Sequence, residues 1–351
     1  MKNSRAAWMG HGKFGVMVHW IPPGPPPQYG RHLKDINQAV DRFDVDRFLA
    51  EFRRSGADWL IFTIGQNSGY YSSPNSVLDH LAGPGRCSRR DLVLEMADGV
   101  KKTGARFIAY LPCEVKGQSE AVRQAFAWTT TDGTGQEDFQ RRYTAFFAEY
   151  SRRLGKRLDG WWFDGAYTWP VFHSSKINTK LYMNAARAGN PDAAVAFNDG
   201  SFCCGLSAPV VRGQDYLSGE VEFLINGRVR YGRKKRLLTP ATHKLQPPRA
   251  CLWHALVPID CMWGHGGNYP DWMNAPFPCV PPKPHQMEDP LYTVNDLEKL
   301  VREFKAVGGG VTFNVGIFQE GVVGPKTVDQ LAELAERLDK QAVQSAVKSG
   351  K

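Results

Sequence analysis

Asp164 closes the apolar run Trp161-Trp162-Phe163 and is followed by Gly165. An acid in that position stands where a buried strand reaches the surface, and the glycine leaves room for a ligand to approach. Glu220 follows Gly219, and Glu222 lies two residues farther on. In an extended segment positions 220 and 222 face the same side. Two carboxyl groups facing one pocket can cut a glycosidic bond: one attacks the anomeric carbon or activates water, and the other protonates the leaving oxygen. Asp164 is the candidate nucleophile, Glu220 the candidate acid/base and Glu222 its alternative. Each also has a structural reading. Asp164 could cap a helix or pair within a loop, and either Glu could pair with the nearby arginines.

Other polar and aromatic side chains also end apolar runs. His19-Trp20 follow Phe14–Val18; Gln66-Asn67, then Tyr70-Tyr71, follow Trp59–Thr63; Glu114 follows Phe107–Leu111; Asn198-Asp199 follow Ala194–Phe197. Later in the chain come Trp263-Gly264-His265 and Asn314. Amides, imidazoles and carboxylates can hydrogen-bond sugar hydroxyls, and aromatic faces can stack on sugar rings. The candidate substrate-binding set is therefore His19, Trp20, Gln66, Asn67, Tyr70, Tyr71, Trp162, Asp199, Trp263 and His265. A histidine at a strand end can equally be structural, and the aromatics can merely cover the core. His11, His265 and His285 form no ligand cluster with close carboxylates, so no metal is expected, and no other cofactor. No Gly-x-Ser-x-Gly occurs to anchor serine hydrolase chemistry.

The elements that must carry these residues alternate. Strands are expected at 14–19, 59–63, 107–111, 160–163, 194–197 and 310–314, with a sixth and seventh near 215–221 and 251–259. Helices are expected at 45–52, 91–102, 139–154, 176–188, 294–307 and 325–338, the last with Pro325 in its first turn. Strand and helix repeated about eight times imply a parallel sheet closed into a (β/α)8 barrel, a single α/β domain over residues 1–340 with a polar tail at 341–351. The competing open doubly wound sheet would carry a glycine-rich turn after its first strand. This chain has Trp20-Ile21-Pro22-Pro23-Gly24 there.

The chain has 351 residues, 42% of them hydrophobic, ordinary for a globular domain of this size. Its formal charge is +9, and Arg228, Arg230, Arg233, Lys234, Lys235 and Arg236 are clustered. That run is read as a solvated loop or as a grip on an anionic polysaccharide; no nucleic-acid fingerprint accompanies it. Seven cysteines, without a Cys-x-x-Cys, indicate neither a disulfide framework nor a zinc site. No apolar leader opens the chain and no run is long enough for a membrane span. A cytoplasmic setting is expected, or a periplasmic or secreted one if a leader was removed. The expected partner is a carbohydrate, with neither nucleic acid nor membrane; the oligomeric state is not legible.

Lys13-Phe14-Gly15-Val16-Met17-Val18-His19-Trp20 resembles the opening of the alpha-L-fucosidases of glycoside hydrolase family 29. Arg90-Asp91-Leu92-Val93, Phe107-Ile108-Ala109-Tyr110, Trp162-Phe163-Asp164-Gly165, Asn198-Asp199 and Gly308 through Gly316, then Gly321 and Pro325, follow in the same order as that family's segments. The resemblance covers nearly the whole chain. It implies a retaining exo-glycosidase that forms a covalent glycosyl intermediate on Asp164. Gln66-Asn67 stand where those enzymes usually carry a His-His pair that binds fucose, so a related sugar is also expected to fit. The family's common C-terminal β-sandwich has no counterpart in this sequence. Two alternatives share the fold: a glycosidase for an anionic, sulfated or uronic, glycoside, and a non-catalytic carbohydrate-binding barrel.

Overall fold

The computed structural model describes residues 4–129, 135–167, 169–200, 209–221, 223–231, 236–238, 240, 251–265 and 283–348. Seven parallel strands form the central sheet: β1 (Gly15–Val18), β2 (Trp59–Thr63), β3 (Arg106–Pro112), β4 (Leu158–Asp164), β5 (Ala194–Phe197), β9 (His254–Pro258) and β10 (Gly310–Val315). Their order is β5-β4-β3-β2-β1-β10-β9. The two ends of that order are joined by residues 215–221. Asp215 N donates to Val195 O of β5 at 2.8 Å, and Val221 N donates to Leu256 O of β9 at 3.1 Å. Tyr216 and Glu220 form isolated parallel bridges with Leu252 and Leu256. The ring is therefore a (β/α)8-type barrel whose sixth position is an irregular segment. Gly219 explains the irregularity: its φ is +67°, and a Cβ there would stand 2.0 Å from His254 O. The chains approach too closely for a side chain, and the backbone departs from strand geometry.

The period of two sorts each strand's side chains. Val16, Val18, Leu60, Phe62, Phe107, Ala109, Leu111, Trp161, Phe163, Val195 and Phe197 join the layer between sheet and helices. Met17, Trp59, Ile61, Ile108, Tyr110, Trp162, Ala194, Ala196 and Leu256 fill the barrel's interior. Outside the ring, α3 (Val45–Ser55), α5 (Leu92–Lys102), α7 (Glu137–Leu154), α8 (Thr179–Ala186), α9 (Val294–Lys305) and α10 (Pro325–Lys348) cover the strands. Side-chain caps start four of them: Asp44, Asp91, Asn178 and Thr293 accept from backbone N–H groups in the first turn. Ala6 and Met9, at a short helix α1 (Ala7–His11), pack into the interior from the N-terminal end of the barrel.

Three features differ from expectation. Helix α10 runs to Lys348, past the expected end at 338, because the Ala-containing segment after Gln341 keeps helix propensity. Second, part of the basic run lies in an antiparallel ribbon of β6 (Leu224–Ile225), β7 (Arg228–Tyr231) and β8 (Arg236–Leu238). Arg228 Nε pairs with Glu303 Oε1 at 3.3 Å. Glu303 is near the C-terminal end of α9, which faces away from the strand C-termini, so Arg228 is directed away from the barrel mouth. Arg233, Lys234 and Lys235 lie outside the described residues. Third, the short helices α2 (Ile36–Arg42), α4 (Ser76–Ala82) and α6 (Glu120–Ala125) occupy loops.

Among the described residues, Cys87, Cys113, Cys251 and Cys261 are free and buried. No group of three or more described His, Cys, Asp or Glu residues is arranged to hold a metal ion. No described helix is long and apolar enough to cross a membrane.

Candidate active site

The inward parity that fills the barrel also aims the side chains at its mouth. On β4, Trp162 and Asp164 face inward while Trp161 and Phe163 pack outward. The backbone at Asp164 is clamped on both sides: Cys113 N donates to Asp164 O and Asn198 N donates to Phe163 O, both at 2.7 Å. The Asp164 carboxylate accepts four hydrogen bonds. Tyr110 Oη (2.5 Å) and Gln66 Nε2 (3.2 Å) donate to Oδ2; Gly165 N and Asn198 Nδ2 (both 2.8 Å) donate to Oδ1. Donors of this number, two on each oxygen, fix the plane of the carboxyl group.

Asn198 joins the two acids. The same Nδ2 donates to Glu220 Oε2, while Asn198 Oδ1 accepts from Gly200 N at 3.0 Å. Two oxygens sharing one nitrogen donor stand within about 6 Å of each other, since each such bond spans about 3 Å. Glu220 is mounted on the irregular segment, held on either side by Gly219 O and Val221 N against Leu256. Glu222 lies outside the described residues. A further acid, Glu114, is buried after β3; its Oε2 accepts from Lys116 N, and a Cβ on Gly165 would lie 3.0 Å from its Oε1.

Around this pair the structure gathers four of the expected ligand residues. Gln66 Nε2 also donates to Tyr110 Oη at 2.6 Å, and Gln118 Nε2 holds the Gln66 carbonyl at 2.5 Å. Trp162 stacks beneath Tyr110, with ring centroids 5.3 Å apart, and its indole donates to Ser218 O. His19 lies edge-on to Tyr110 at 5.0 Å and to Trp263 at 5.6 Å. His19 Nδ1 is 3.1 Å from Asn314 Oδ1, and Asn314 Nδ2 donates to Met262 O. The amide orientation makes Oδ1 the acceptor, so Nδ1 carries the His19 proton. Burial holds the His19 pKa below its usual value, against the opposing pull of Asn314 and Asp164. The ring is thus neutral near pH 7, with Nε2 left as an acceptor.

The remaining candidates stand elsewhere. Trp20 is fully buried in the outer core against Phe43, its indole donating to Gln319 O at 2.9 Å. It follows His19, and consecutive strand residues face opposite ways. Tyr71 is likewise buried, packed on Phe146. Neither can touch a ligand in the mouth, which corrects their assignment as sugar-binding residues. His265 is locked to Glu288 at 2.7 Å and packs on Phe318. Asn67 and Tyr70 are exposed on the rim, and Asp199 is buried beside Asn198. Two residues at the acids, Tyr110 and Tyr167, are not singled out by the sequence, and a third, Asn198, is named there at a strand end but given no role. Parity identifies Tyr110, which shares the inward side of Ile108. Tyr167 lies in the turn after Asp164 and is 45% exposed. The Asp164 charge is the main reason its phenol resists ionisation, followed by burial and Glu220.

No protein-family model matches the chain, and no curated protein matches it. Solved structures do. The endo-fucoidan hydrolase MfFcnA4 of glycoside hydrolase family 107 aligns at a TM-score of 0.60 and 17% identity, over 95% of this chain and 53% of that one; this chain thus spans about half of that protein. The alpha-L-fucosidase AlfC from Lactobacillus casei, in complex with alpha-L-fucose, aligns at 0.56 and 15% identity, over 97% of this chain and 100% of that one. Alpha-L-fucosidase isoenzyme 1 from Paenibacillus thiaminolyticus aligns at 0.58 and 16% identity, over 95% and 75% respectively. At these identities the likeness establishes the fold: the chain has the barrel architecture found in alpha-L-fucosidases and endo-fucoidan hydrolases.

Proposed function

We propose that this protein is a retaining glycoside hydrolase that releases a terminal alpha-L-fucose or a closely related sugar. The carrying observation is the single Asn198 amide that bonds both Asp164 and Glu220. It keeps the nearest oxygens within about 6 Å, which suits the roughly 5–5.5 Å separation of retaining pairs better than the 6.5–9.5 Å of inverting ones. Named fucosidases and fucoidan hydrolases among the structural neighbours support the sugar class.

In this reading Asp164 attacks the anomeric carbon while Glu220 protonates the leaving oxygen. The bond to the leaving group breaks as the bond to Asp164 forms. Glu220, now ionised, then takes a proton from water, which displaces Asp164 and releases the sugar with its original configuration. Tyr110, Gln66 and Asn198 hold Asp164 in place, and neutral His19 accepts a hydrogen bond from a sugar hydroxyl through Nε2.

The test is Asp164→Gly assayed on 4-nitrophenyl alpha-L-fucoside and a panel of other nitrophenyl glycosides. The substitution should lower turnover by at least about a thousandfold, in the range lost when a nucleophile is removed. Added azide should restore release of nitrophenol and yield a glycosyl azide of inverted configuration. Wild-type-like turnover by the variant would remove Asp164 from the mechanism. Inverted product from the unmodified enzyme would exclude the retaining route.

A further inference from the structure

His19 and Asn314 stand at the ends of neighbouring strands. β1 and β10 run parallel, with Met17 opposite Asn314 and Val18 opposite Val315. Met17 and His19 share the inward side of β1. Thr312 and Asn314 share that of β10, where Thr312 Oγ1 accepts from the indole of the interior Trp59. The two side chains therefore meet inside the mouth, His19 Nδ1 lying 3.1 Å from Asn314 Oδ1.

Asn314 is fully buried, and its amide is fixed in one orientation. Nδ2 donates to Met262 O at 2.8 Å and to Trp263 O at 3.4 Å. Carbonyl oxygens only accept, so turning the amide over would lose both bonds and set Oδ1 against two oxygens. The segment that supplies those carbonyls is pinned at each end. Before it, Asp260 Oδ1 accepts from Cys261 N (2.6 Å) and Gly316 N (2.9 Å), and Asp260 Oδ2 accepts from Thr327 Oγ1 (2.8 Å) at the start of α10. After it, His265 is held by Glu288. Asn314 Oδ1 is thereby committed to accepting, and the ring nitrogen that faces it to carrying a proton. The bond made by one imidazole nitrogen decides the state of the other. Nε2 is left bare, without a hydrogen-bond partner among the described residues.

We propose that Asn314 is a positioning residue: it holds His19 in the tautomer protonated at Nδ1, so that the site selects a sugar hydroxyl able to donate its proton to Nε2. The inference deepens the glycosidase reading and rests on it for the class of ligand. Asn314 and the carbonyls of Met262 and Trp263 act through His19. The titratable groups facing the ring are Tyr110, edge-on at 5.0 Å, and Asp164. Burial lowers the His19 pKa against the pull of the Asn314 bond and the Asp164 charge. An aspartate at 314 would add a second negative charge directly at Nδ1.

The test begins on the unmodified protein, with nitrogen-15 NMR of the histidine ring nitrogens; His19 is identified by the signals lost in His19→Gln. At neutral pH Nδ1 should be protonated and Nε2 bare, and the reverse tautomer overturns the proposal. Asn314→Leu, of similar size, should release the ring into a mixture of tautomers, and Asn314→Asp should raise the pH at which the ring titrates. An unchanged tautomer in the first, or an unchanged titration in the second, overturns the proposal in a variant whose thermal unfolding matches the parent. The sugar is read by calorimetry with L-fucose and its monodeoxy and monodeoxyfluoro analogues. Fluorine cannot donate, so at one ring position both analogues should bind the parent equally weakly, about three- to tenfold below L-fucose. In Asn314→Asp the charged ring donates through Nε2, and the fluoro analogue should gain about threefold over the deoxy one at that position. A fluoro-to-deoxy ratio that stays the same at every position overturns the selection of a donor. Absence of turnover on every nitrophenyl glycoside would sink the glycosidase reading, whereas the ring spectrum still judges Asn314.

Discussion

Asn198 offers a sharp test because two conservative replacements should rank in a definite order. Its Nδ2 donates to both Asp164 and Glu220, and its Oδ1 accepts from Gly200 N. Asn198→Ala removes both donated bonds. Hydrogen bonds to charged groups are worth about 1.5–3 kcal/mol each, and loss of a single well-aimed donor in an active site costs about 2.7–4 kcal/mol, or 10²–10³ in kcat. Asn198→Asp has nearly the same shape and keeps the acceptor for Gly200. It replaces a donor with an anion beside the Asp164 carboxylate. At 4 Å and an effective dielectric of 20, such a pair repels by about 4 kcal/mol. The new carboxyl must then bind a proton or swing away, and either change removes the bridge between Asp164 and Glu220. The assay is kcat/KM on an activated aryl glycoside at neutral pH, with circular dichroism and thermal unfolding to verify the fold. Activity should fall about 10²–10³-fold in Asn198→Ala and further in Asn198→Asp. If the Asp variant matches or exceeds the Ala variant, or if Asn198→Ala stays within threefold of the parent, the amide does not organise the two carboxyl groups and the mechanism built on it fails.

Three further outcomes are expected. Glu220→Gln should reduce hydrolysis of a poor leaving group by about 10²–10⁴-fold, but a nitrophenyl leaving group far less, because only the former needs protonation; equal losses on both would remove Glu220 as the acid. His254, buried between Ser218 O and Thr312 Oγ1, has its pKa lowered to about 4 by burial. The unfolded chain binds this proton more readily, so its contribution is present above about pH 6.5 and is lost as pH falls toward 4. Thermal unfolding from pH 7 to 4 should be flatter for His254→Gln than for the parent; parallel curves would contradict this. Trp20→Ala should cost about 3–5 kcal/mol of stability, as a truncated buried aromatic, and leave KM of the folded fraction unchanged; a raised KM with normal stability would return Trp20 to the ligand.

The barrel and the position of Asp164 at a strand end were legible because strands there obey simple rules. The runs at 59–63 and 194–197 match β2 and β5, since apolar runs bounded by polar residues mark a parallel strand buried on both faces. The sixth ring position was seen only approximately, because Gly219 breaks the pattern that would mark a strand. Within the candidate site, aromatics were assigned by proximity to a strand end rather than by parity. Parity separates His19, directed inward, from Trp20, directed outward, and it would have added Tyr110. Asn198 needed three dimensions: nothing in the chain order reveals that one amide reaches two acids on different segments. Tyr167 owes its place to a turn and to the absence of a side chain at Gly200, neither of which leaves a periodic trace.

The irregular stretch at 215–221 has a consequence for how the two proposed carboxyl groups are mounted. Asp164 is riveted into a regular strand hydrogen-bonded on both flanks, whereas Glu220 hangs on a seam fastened by a few bonds to β5 and β9. Lengthening, shortening or re-routing that seam would shift Glu220, the proposed proton donor, without disturbing the ladder that seats Asp164, the proposed nucleophile. The architecture thus sets a fixed carboxyl against one whose mount can be edited at a handful of residues.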